Sequence, residues 1–306
     1  MEKVLITGGA GFIGSHVVDK FIEKNYEIII IDNLSTGTLE NLTAHNNNTN
    51  IKFYHKDILT DDISDIFKSN KPDYCIHLAA QTNVSMSMKD PIGDLELNII
   101  ATLKILDLCN MYDVKKIICA SSAAVYGTPN QLPIDENHPT EPISNYGISK
   151  LTMEKYVQLT KFPHISFRIA NVYGPRQINS PESGVITIFH HKMLNNEDIN
   201  IFGNGEQIRD FVYVEDIANA IVETMINDKI TNEVINISTN TGVSLNELFT
   251  QMAKIYQYKL KPNYLPNRNG DIKDSILSNA KLKKYLPNFK TTTLKEGLIK
   301  LKKHYT

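Results

Sequence analysis

The segment Thr7-Gly8-Gly9-Ala10-Gly11-Phe12-Ile13-Gly14 joins a short apolar run, Val4–Ile6, to an amphipathic stretch, Ser15–Lys24. It satisfies the spacing G-x-G-x-x-G, and a second series of evenly spaced glycines begins at Gly8. Glycine allows the unusual dihedral angles of a tight turn, and its missing Cβ lets a pyrophosphate approach the backbone. The free N–H groups of the following helix then point at that phosphate. The segment therefore predicts a dinucleotide-binding turn between a strand and a helix.

The alternation of short apolar runs with helical patterns extends this motif into a fold. The further strand-like runs are Ile28–Ile31, Ile51–Tyr54, Tyr74–Ala79, Lys116–Ala120 and Ile165–Ile169, and the helical stretches are Asp61–Lys68, Leu95–Met111 and Tyr146–Lys161. Such alternation predicts an α/β fold of the Rossmann type, a doubly wound parallel sheet with helices on both faces. Turn-rich segments follow, so we expect a dinucleotide-binding domain over residues 1–170, to which the chain returns near 210–238, and a smaller substrate-binding lobe over 171–306.

Asp32 ends the second predicted strand, about twenty residues beyond the glycine-rich turn. A carboxylate at this place accepts a hydrogen bond from a ribose 2′-hydroxyl and repels a 2′-phosphate. We therefore expect NAD as the cofactor rather than NADP. The alternatives are that Asp32 caps a turn and that the glycines form a plain turn without a ligand.

Tyr146 and Lys150 are four residues apart in a predicted helix, so they share one face. A cation beside a phenol favours the phenolate, and we expect Lys150 to lower the pKa of Tyr146 towards neutrality. Ser122 ends the preceding predicted strand, where it could hydrogen-bond both a substrate hydroxyl and the Tyr146 oxygen. The three residues predict an acid–base site. The alternatives are an exposed tyrosine and lysine and a serine that caps a strand end.

Composition limits the possible partners. The 306 residues carry a formal net charge of −2, which gives no sign of a nucleic-acid or membrane-surface partner. The N-terminus has no apolar signal core, so we expect a cytoplasmic protein. Cys75, Cys109 and Cys119 form no spaced pair, and we expect reduced, buried thiols and no metal site.

Eight motifs follow one another along almost the whole chain: T-G-G-A-G-F-I-G, D-N-L-S-T-G, H-L-A-A, S-S-A-A-V-Y-G, Y-G-I-S-K, R-I-A-N-V-Y-G-P-R, R-D-F-V-Y-V-E-D and R-N-G-D. The series resembles the extended short-chain dehydrogenases, and most closely the UDP-glucose 4-epimerases. The resemblance implies NAD as cofactor and a UDP-sugar as substrate.

The resemblance also implies roles for individual residues. The NAD contacts would be Gly8, Gly11, Phe12, Ile13, Gly14, Asp32, Asn33, Ser35, Asp57, Ile58, Leu78, Ala79, Ala80, Tyr146 and Lys150. The nucleoside-diphosphate and sugar contacts would be Ser122, Asn171, Phe202, Arg209, Arg268 and Asp271. Two arginines in a lobe of little net charge fit a bidentate diphosphate clamp, although each could instead form a surface ion pair.

Relatives of this shape catalyse several reactions, and these differ in the residues that transfer a second proton. Nucleotide-sugar 4,6-dehydratases resemble one another in having Asp-Glu directly after the catalytic Ser or Thr, and decarboxylases have a Glu close by. Here these positions are Ala123 and Ala124, which cannot move a proton. We therefore expect oxidation and reduction at C4, hence epimerisation. The alternatives are a net 4-ketoreductase and a non-catalytic nucleotide-sensing relative.

Two further expectations come from the resemblance. In the family, the residue four positions after the ribose-binding Asp lines the hexose pocket, and here it is Ser275. A small residue leaves room for an N-acetyl group, whereas a solvated loop serine would set no specificity.

Relatives commonly dimerise through helices that correspond to Leu95–Met111 and Tyr146–Lys161, so we expect a homodimer.

Overall fold

The computed structural model describes residues 1–180, 183–267 and 272–306. The strands of these ranges are β1 (Lys3–Thr7), β2 (Glu27–Asp32), β3 (Ile51–His55), β4 (Tyr74–His77), β5 (Lys116–Ser122), β6 (His164–Ile169), β7 (Asn171–Tyr173), β8 (Asn200–Phe202), β9 (Ile208–Tyr213), β10 (Glu233–Ile237), β11 (Gly242–Ser244), β12 (Asn263–Leu265) and β13 (Asp274–Ser275). The α-helices are α1 (Phe12–Glu23), α2 (Ser64–Asn70), α3 (Val84–Lys89), α4 (Pro91–Leu95), α5 (Ala101–Met111), α6 (Asn145–Gln158), α7 (Val185–Leu194), α8 (Val214–Met225), α9 (Leu245–Tyr256), α10 (Ala280–Tyr285) and α11 (Leu294–Tyr305). A π-helical turn, Glu96–Ile100, joins α4 to α5.

Seven parallel strands form the main sheet, in the order β3-β2-β1-β4-β5-β6-β10. Both faces are covered, which explains why the strands are apolar throughout. In β2, Ile28 and Ile30 pack in the core that includes α1 and α8. Ile29 and Ile31 pack in the opposite core with α2, α5 and α6. The predicted fold class, a doubly wound parallel sheet of the Rossmann type, is confirmed.

A third core lies among α7, α9, α11 and the strands around β9. Strand β9 pairs in parallel with β7 and β13 and antiparallel with β11. Strand β10 pairs with β6 and so returns the chain to the main sheet. Because β7 begins two residues after β6 ends, its pairing with β9 carries this second unit to the carboxyl edge of the main sheet.

From β1 the following strands, β2 and β3, are added on one side, whereas β4, β5 and β6 are added on the other. The strand order therefore reverses between β1 and β4. Ligands of open α/β sheets bind in the crevice outside the carboxyl ends of the strands at such a point. The ends of β1, β2, β4 and β5 all lie at this edge. No helix in the described ranges has the length and apolar content needed to cross a membrane.

Candidate active site

The glycines of the turn allow it to pack closely against the end of β4 and the start of α1. Gly8 has φ +72°, and a Cβ there would lie 2.8 Å from the amide nitrogen of Ala79. A Cβ on Gly14 would overlap the carbonyl oxygen of Gly8. Helix α1 begins after Gly11, which makes no side-chain cap, and the first amides of a helix, here at Phe12 and Ile13, have no intrahelical acceptor. The turn therefore presents N–H groups and the positive end of the helix dipole to the crevice.

Asp32 is buried at the end of β2, where it holds the glycine-rich turn. One carboxylate oxygen accepts from the amide of Ala10 at 2.9 Å and the other from the amide of Leu34 at 2.8 Å. The turn-capping alternative is therefore present in the structure. A carboxylate has about four acceptor positions, so these two bonds leave capacity for ribose hydroxyls.

The predicted adenine side is a linked pair of loops. The Asn33 side-chain amide donates to the Asp57 carboxylate at 2.8 Å, and the amide of Leu59 donates to the same carboxylate at 2.7 Å. Burial opposes ionisation of Asp57, but these hydrogen bonds hold its pKa below the usual value. Ile58 is buried in the core beneath, and Ser35 is exposed at the rim.

The segment after β4 forms the middle of the crevice wall. The amides of Leu78 and Ala79 donate to the Thr7 hydroxyl at 3.2 and 3.3 Å, which ties the wall to the end of β1. Leu78, Ala79 and Ala80 are half-buried. Strand β4 ends at His77, two residues earlier than predicted: the amide of Leu78 still reaches the Thr7 carbonyl of β1, but that of Ala79 binds the Thr7 side chain.

The predicted acid–base residues come together at the end of β5. Ser144 caps α6 by accepting from the amide of Gly147, which fixes Tyr146 in the first turn. Tyr146 and Lys150 are both buried, and the Lys150 ammonium lies 5.8 Å from the centre of the Tyr146 ring. Lys150 donates to the Ala120 carbonyl at 3.0 Å. Ser122 accepts from the amide of Ala124 at 3.1 Å.

The protonation of this cluster differs from the prediction. Burial raises the pKa of Tyr146 to about 12, the Ser122 hydroxyl opposes that rise, and the charge of Asp94 adds to it. Burial also lowers the pKa of Lys150 to about 8. The expectation that Lys150 lowers the phenol pKa towards neutrality is therefore wrong for the chain by itself. Burial is the largest cause of the rise in the Tyr146 pKa, and the Lys150 ammonium instead donates to the Ala120 carbonyl 3.0 Å away.

A buried polar network behind Tyr146 was missed in the sequence. The Asn98 side-chain amide donates to the Asp94 carboxylate, to the Gln81 carbonyl and to the Ser149 hydroxyl, at 3.0, 3.0 and 3.1 Å. The Ser149 hydroxyl in turn donates to the Tyr146 carbonyl. The available signal was a buried asparagine inside an apolar helical stretch, Leu95–Met111.

The predicted sugar-nucleotide residues gather on and beside β9. The Arg209 guanidinium donates to the carbonyls of Ile208 and Lys273, both at 2.9 Å, and to that of Ile272 at 2.6 Å. Ser275 pairs with Arg209 in the β13–β9 ladder. Asn171 donates to the Asp210 carbonyl at 3.3 Å.

The remaining predicted residues lie elsewhere. Phe202 ends β8, beside an open groove lined by Gly203, Asn204 and Tyr264–Asn267. Arg268 and Asp271 lie outside the described residues.

The residues present fit a bound NAD. Three features form a cradle for a pyrophosphate and a ribose. They are the close packing of Gly8 and Gly14 against their neighbours, the uncapped start of α1 and the buried Asp32. Tyr146 and Lys150 lie at the far end of the same edge. This fold and site define an extended short-chain dehydrogenase/reductase.

The chain belongs to the NAD dependent epimerase/dehydratase family, whose sequence profile matches residues 4–238. It is similar to the UDP-glucose 4-epimerase of Thermotoga maritima, solved with UDP-glucose, at 41% identity and TM-score 0.93, covering 99% of this chain and 98% of that one. It is also similar to the UDP-N-acetylglucosamine 4-epimerase of Methanobrevibacter ruminantium, solved with UDP-N-acetylmuramic acid, at 36% identity, TM-score 0.93 and the same coverage. The Thermus thermophilus UDP-glucose 4-epimerase, solved with NAD, is 32% identical with TM-score 0.89 over 99% and 98% of the two chains.

Proposed function

We propose that this chain is an NAD-dependent isomerase that epimerises C4 of a UDP-hexose through a 4-keto intermediate. The observation that carries the proposal is the cluster of Ser122, Tyr146 and Lys150 at the carboxyl edge, beside a turn built for a dinucleotide. The similarity to UDP-glucose 4-epimerases over almost the full length supports the same reaction.

We infer a division of labour between two parts of the chain. Residues 1–170, with the return near 210–238, would hold NAD, and residues 171–306 would mainly hold the sugar nucleotide. Gly8, Gly11, Phe12, Ile13 and Gly14 would surround the pyrophosphate. The ribose and adenine contacts would be Asp32, Asn33, Ser35, Asp57 and Ile58, and the wall and nicotinamide-ribose contacts Leu78, Ala79, Ala80, Tyr146 and Lys150.

The proton transfers are assigned to side chains of α6 and β5. The chemistry that NAD supplies when bound is reversible acceptance of hydride from the sugar carbon C4, together with a positive charge on its oxidised ring. Tyr146 takes the proton of the C4 hydroxyl during oxidation and returns it during reduction. Lys150 and the Ser122 hydroxyl favour the ionised phenol, against the burial that raises its pKa to about 12.

The anchoring of the sugar nucleotide is assigned to the second lobe. Arg209 and Arg268 would clamp the diphosphate, Asp271 would hold the ribose, and Asn171 and Phe202 would complete the nucleotide site. The 4-keto sugar can then present its opposite face while the nucleotide stays bound. Ala123 and Ala124, in the turn after Ser122, have no group that could remove a C5 proton, which favours epimerisation over dehydration.

The test is conversion of UDP-galactose to UDP-glucose by the purified protein without added cofactor. An epimerase regenerates its NAD in every cycle, so turnover without external NAD supports the proposal. A 4-ketoreductase would leave UDP-galactose unchanged without cofactor and, with added NAD, would only oxidise it to the 4-keto sugar, forming one NADH for each sugar oxidised. Nucleotide binding without any conversion would identify a non-catalytic relative.

We further infer a homodimer through the helical stretches Leu95–Met111 and Tyr146–Lys161. Ile148, Tyr156 and Leu159 are exposed along the second stretch, and Leu95, Ile100 and Met111 along the first. Exposed apolar stripes on neighbouring helices favour a helical interface between copies. Light scattering should give twice the chain mass, and Ile148→Glu should lower it towards the monomer.

The three buried free cysteines suit a reducing compartment, so we place the protein in the cytoplasm.

A further inference from the structure

The imidazole of His77 is buried at the end of β4, directly before the crevice wall formed by Leu78, Ala79 and Ala80. Its Nδ1 lies 2.8 Å from the Thr7 hydroxyl of β1, and its Nε2 lies 2.9 Å from the Thr102 hydroxyl of α5. All three side chains are at most 3% exposed. Neither partner is a charged group.

The neighbours of the ring fix the direction of both hydrogen bonds. The Thr102 hydroxyl donates to the Asn98 carbonyl at 2.8 Å, which uses its single proton, so it must accept from His77. The Thr7 hydroxyl accepts from the amide of Ala79 and shares that of Leu78 with the Thr7 carbonyl, so its own proton is directed to Nδ1. The ring is therefore neutral, with its proton on Nε2.

We propose that His77 is a positioning residue, whose neutral Nε2–H tautomer locks the crevice wall to the π-helical turn beside the acid–base helix. The turn places the Asn98 carbonyl where Thr102 can bind it, and the amide of Ala101 bonds five residues back to Glu96. The Asn98 side chain then bonds Ser149 of α6. One hydrogen-bonded chain thus runs from the end of β1, through His77, to the helix that carries Tyr146.

A second proton on the ring would break this chain. Nδ1 would then donate to the Thr7 hydroxyl, which would lose the acceptor for its own proton. Burial and the positive charge of Lys150 on α6 lower the pKa of His77 to about 3. The Cys119 thiol of β5 stays neutral because burial raises its pKa, and the Asp94 carboxylate is held by Asn98. The ring therefore stays neutral wherever the chain is folded near neutral pH.

The first experiment reads the tautomer directly and needs no cofactor. Nitrogen-15 NMR of the ring should show one protonated nitrogen, Nε2, unchanged from neutral pH down to about pH 5, well below the ordinary histidine pKa. A proton on Nδ1, or titration of the ring near pH 6.5, overturns the proposal.

The second experiment rests on the proposed function only in using NAD as the ligand of the crevice. Thr102→Val removes the acceptor of the His77 proton, and we expect NAD affinity to fall about tenfold because a buried donor is left unpaired. Thr102→Ser keeps the hydroxyl and should restore NAD affinity to within about twofold of the unmutated protein. UDP affinity should be unchanged in both.

The matched control is His164→Gln, which alters a buried histidine at the opposite end of the same sheet and should leave NAD affinity unchanged. Unchanged NAD affinity in Thr102→Val, or an equal loss of UDP affinity, overturns the positioning role. If the unmutated protein binds no NAD while the ring shows the Nε2–H tautomer, the proposed function fails and the tautomer assignment stands.

Discussion

The cofactor edge, formed by the ends of β1, β2, β4 and β5, differs in construction from the clamp ladder, formed by β9 and β13. At the cofactor edge, the Asp32 carboxylate and the Thr7 hydroxyl accept from backbone amides of the crevice wall and turn, so these groups fix the shape of the crevice. In the clamp ladder, the Arg209 guanidinium, which is itself the group proposed to bind the ligand, is bonded to the carbonyls of Ile272 and Lys273. The first region is pre-organised for its ligand, whereas Arg209 must share or exchange partners to bind a diphosphate. If the two regions are separable, a change in one should leave ligand binding in the other intact.

Tyr146→Phe should have the largest effect. It removes the proton-transferring oxygen but keeps the ring, so we expect turnover of UDP-galactose to fall below about a hundredth of the original rate. Affinities for NAD and UDP should stay within about twofold, because neither the glycine-rich turn nor the clamp ladder is touched. A variant that keeps more than about a hundredth of the rate would show that general acid–base catalysis by this residue is the wrong account.

Ser275→Tyr tests the clamp ladder from the sugar side. We predict that the unmutated protein epimerises UDP-N-acetylglucosamine as well as UDP-glucose, because serine leaves room for the acetamido group. The tyrosine should lower the N-acetylated activity roughly a hundredfold by overlap and spare most of the hexose activity and NAD affinity.

The control for that change is Ser275→Ala, which stays small and should leave both substrate pairs active. If the unmutated protein does not epimerise the N-acetylated pair, the prediction that Ser275 leaves room for the acetamido group is wrong.

Lys150→Met should change stability and activity in opposite directions at the cofactor edge. The buried Lys150 has a folded pKa of about 8, below the unfolded value, so between these two pH values the unfolded chain binds more protons. Stability therefore rises with pH from about 8 to about 10.5, and at pH 7 the buried charge costs about 3 kcal/mol.

The methionine variant should lose turnover and yet unfold at higher urea concentration at pH 7. Its advantage over the original protein should shrink as the pH rises from about 8 to about 10.5. If the variant is less stable at pH 7, the hydrogen bond to Ala120 outweighs the cost of the buried charge.

Asp32→Ala should have the smallest effect. It removes a ribose acceptor and a charge that repels a 2′-phosphate, so NAD affinity should fall about tenfold and discrimination against NADP should relax. Asp32→Asn keeps a turn-capping oxygen and isolates the contribution of the charge. Calorimetric titration with both cofactors measures the outcome, and equal binding of NAD and NADP by the unmutated protein would contradict the assignment.

The sequence predicted the strand, turn and helix elements of the cofactor edge because their signals are local. The glycine-rich turn, the apolar run of β2 and the pair Tyr146 and Lys150 each depend on residues within one or two elements. The predicted strand at Tyr74–Ala79 was two residues too long, since the Thr7 hydroxyl, from another strand, binds the amide of Ala79.

Features that depend on tertiary contacts could not be predicted. The helical stretch Leu95–Met111 is interrupted by the π-helical turn at Glu96–Ile100, where Asn98 meets groups from two other elements. Periodicity places such a residue on a face but does not supply its partners. The raised pKa of Tyr146 was missed for the same reason, since the depth of burial is set by the packing of the whole edge.

Helix α6 has the proposed acid–base residues on one side and an apolar stripe on the other. Tyr146 and Lys150 face the crevice, while Ile148, Tyr156 and Leu159 face outward. If two copies pair through that stripe, association restrains the backbone that aims the phenol. Specific activity would then depend on the concentration of the enzyme itself, falling on dilution below the dimer dissociation constant and returning on concentration.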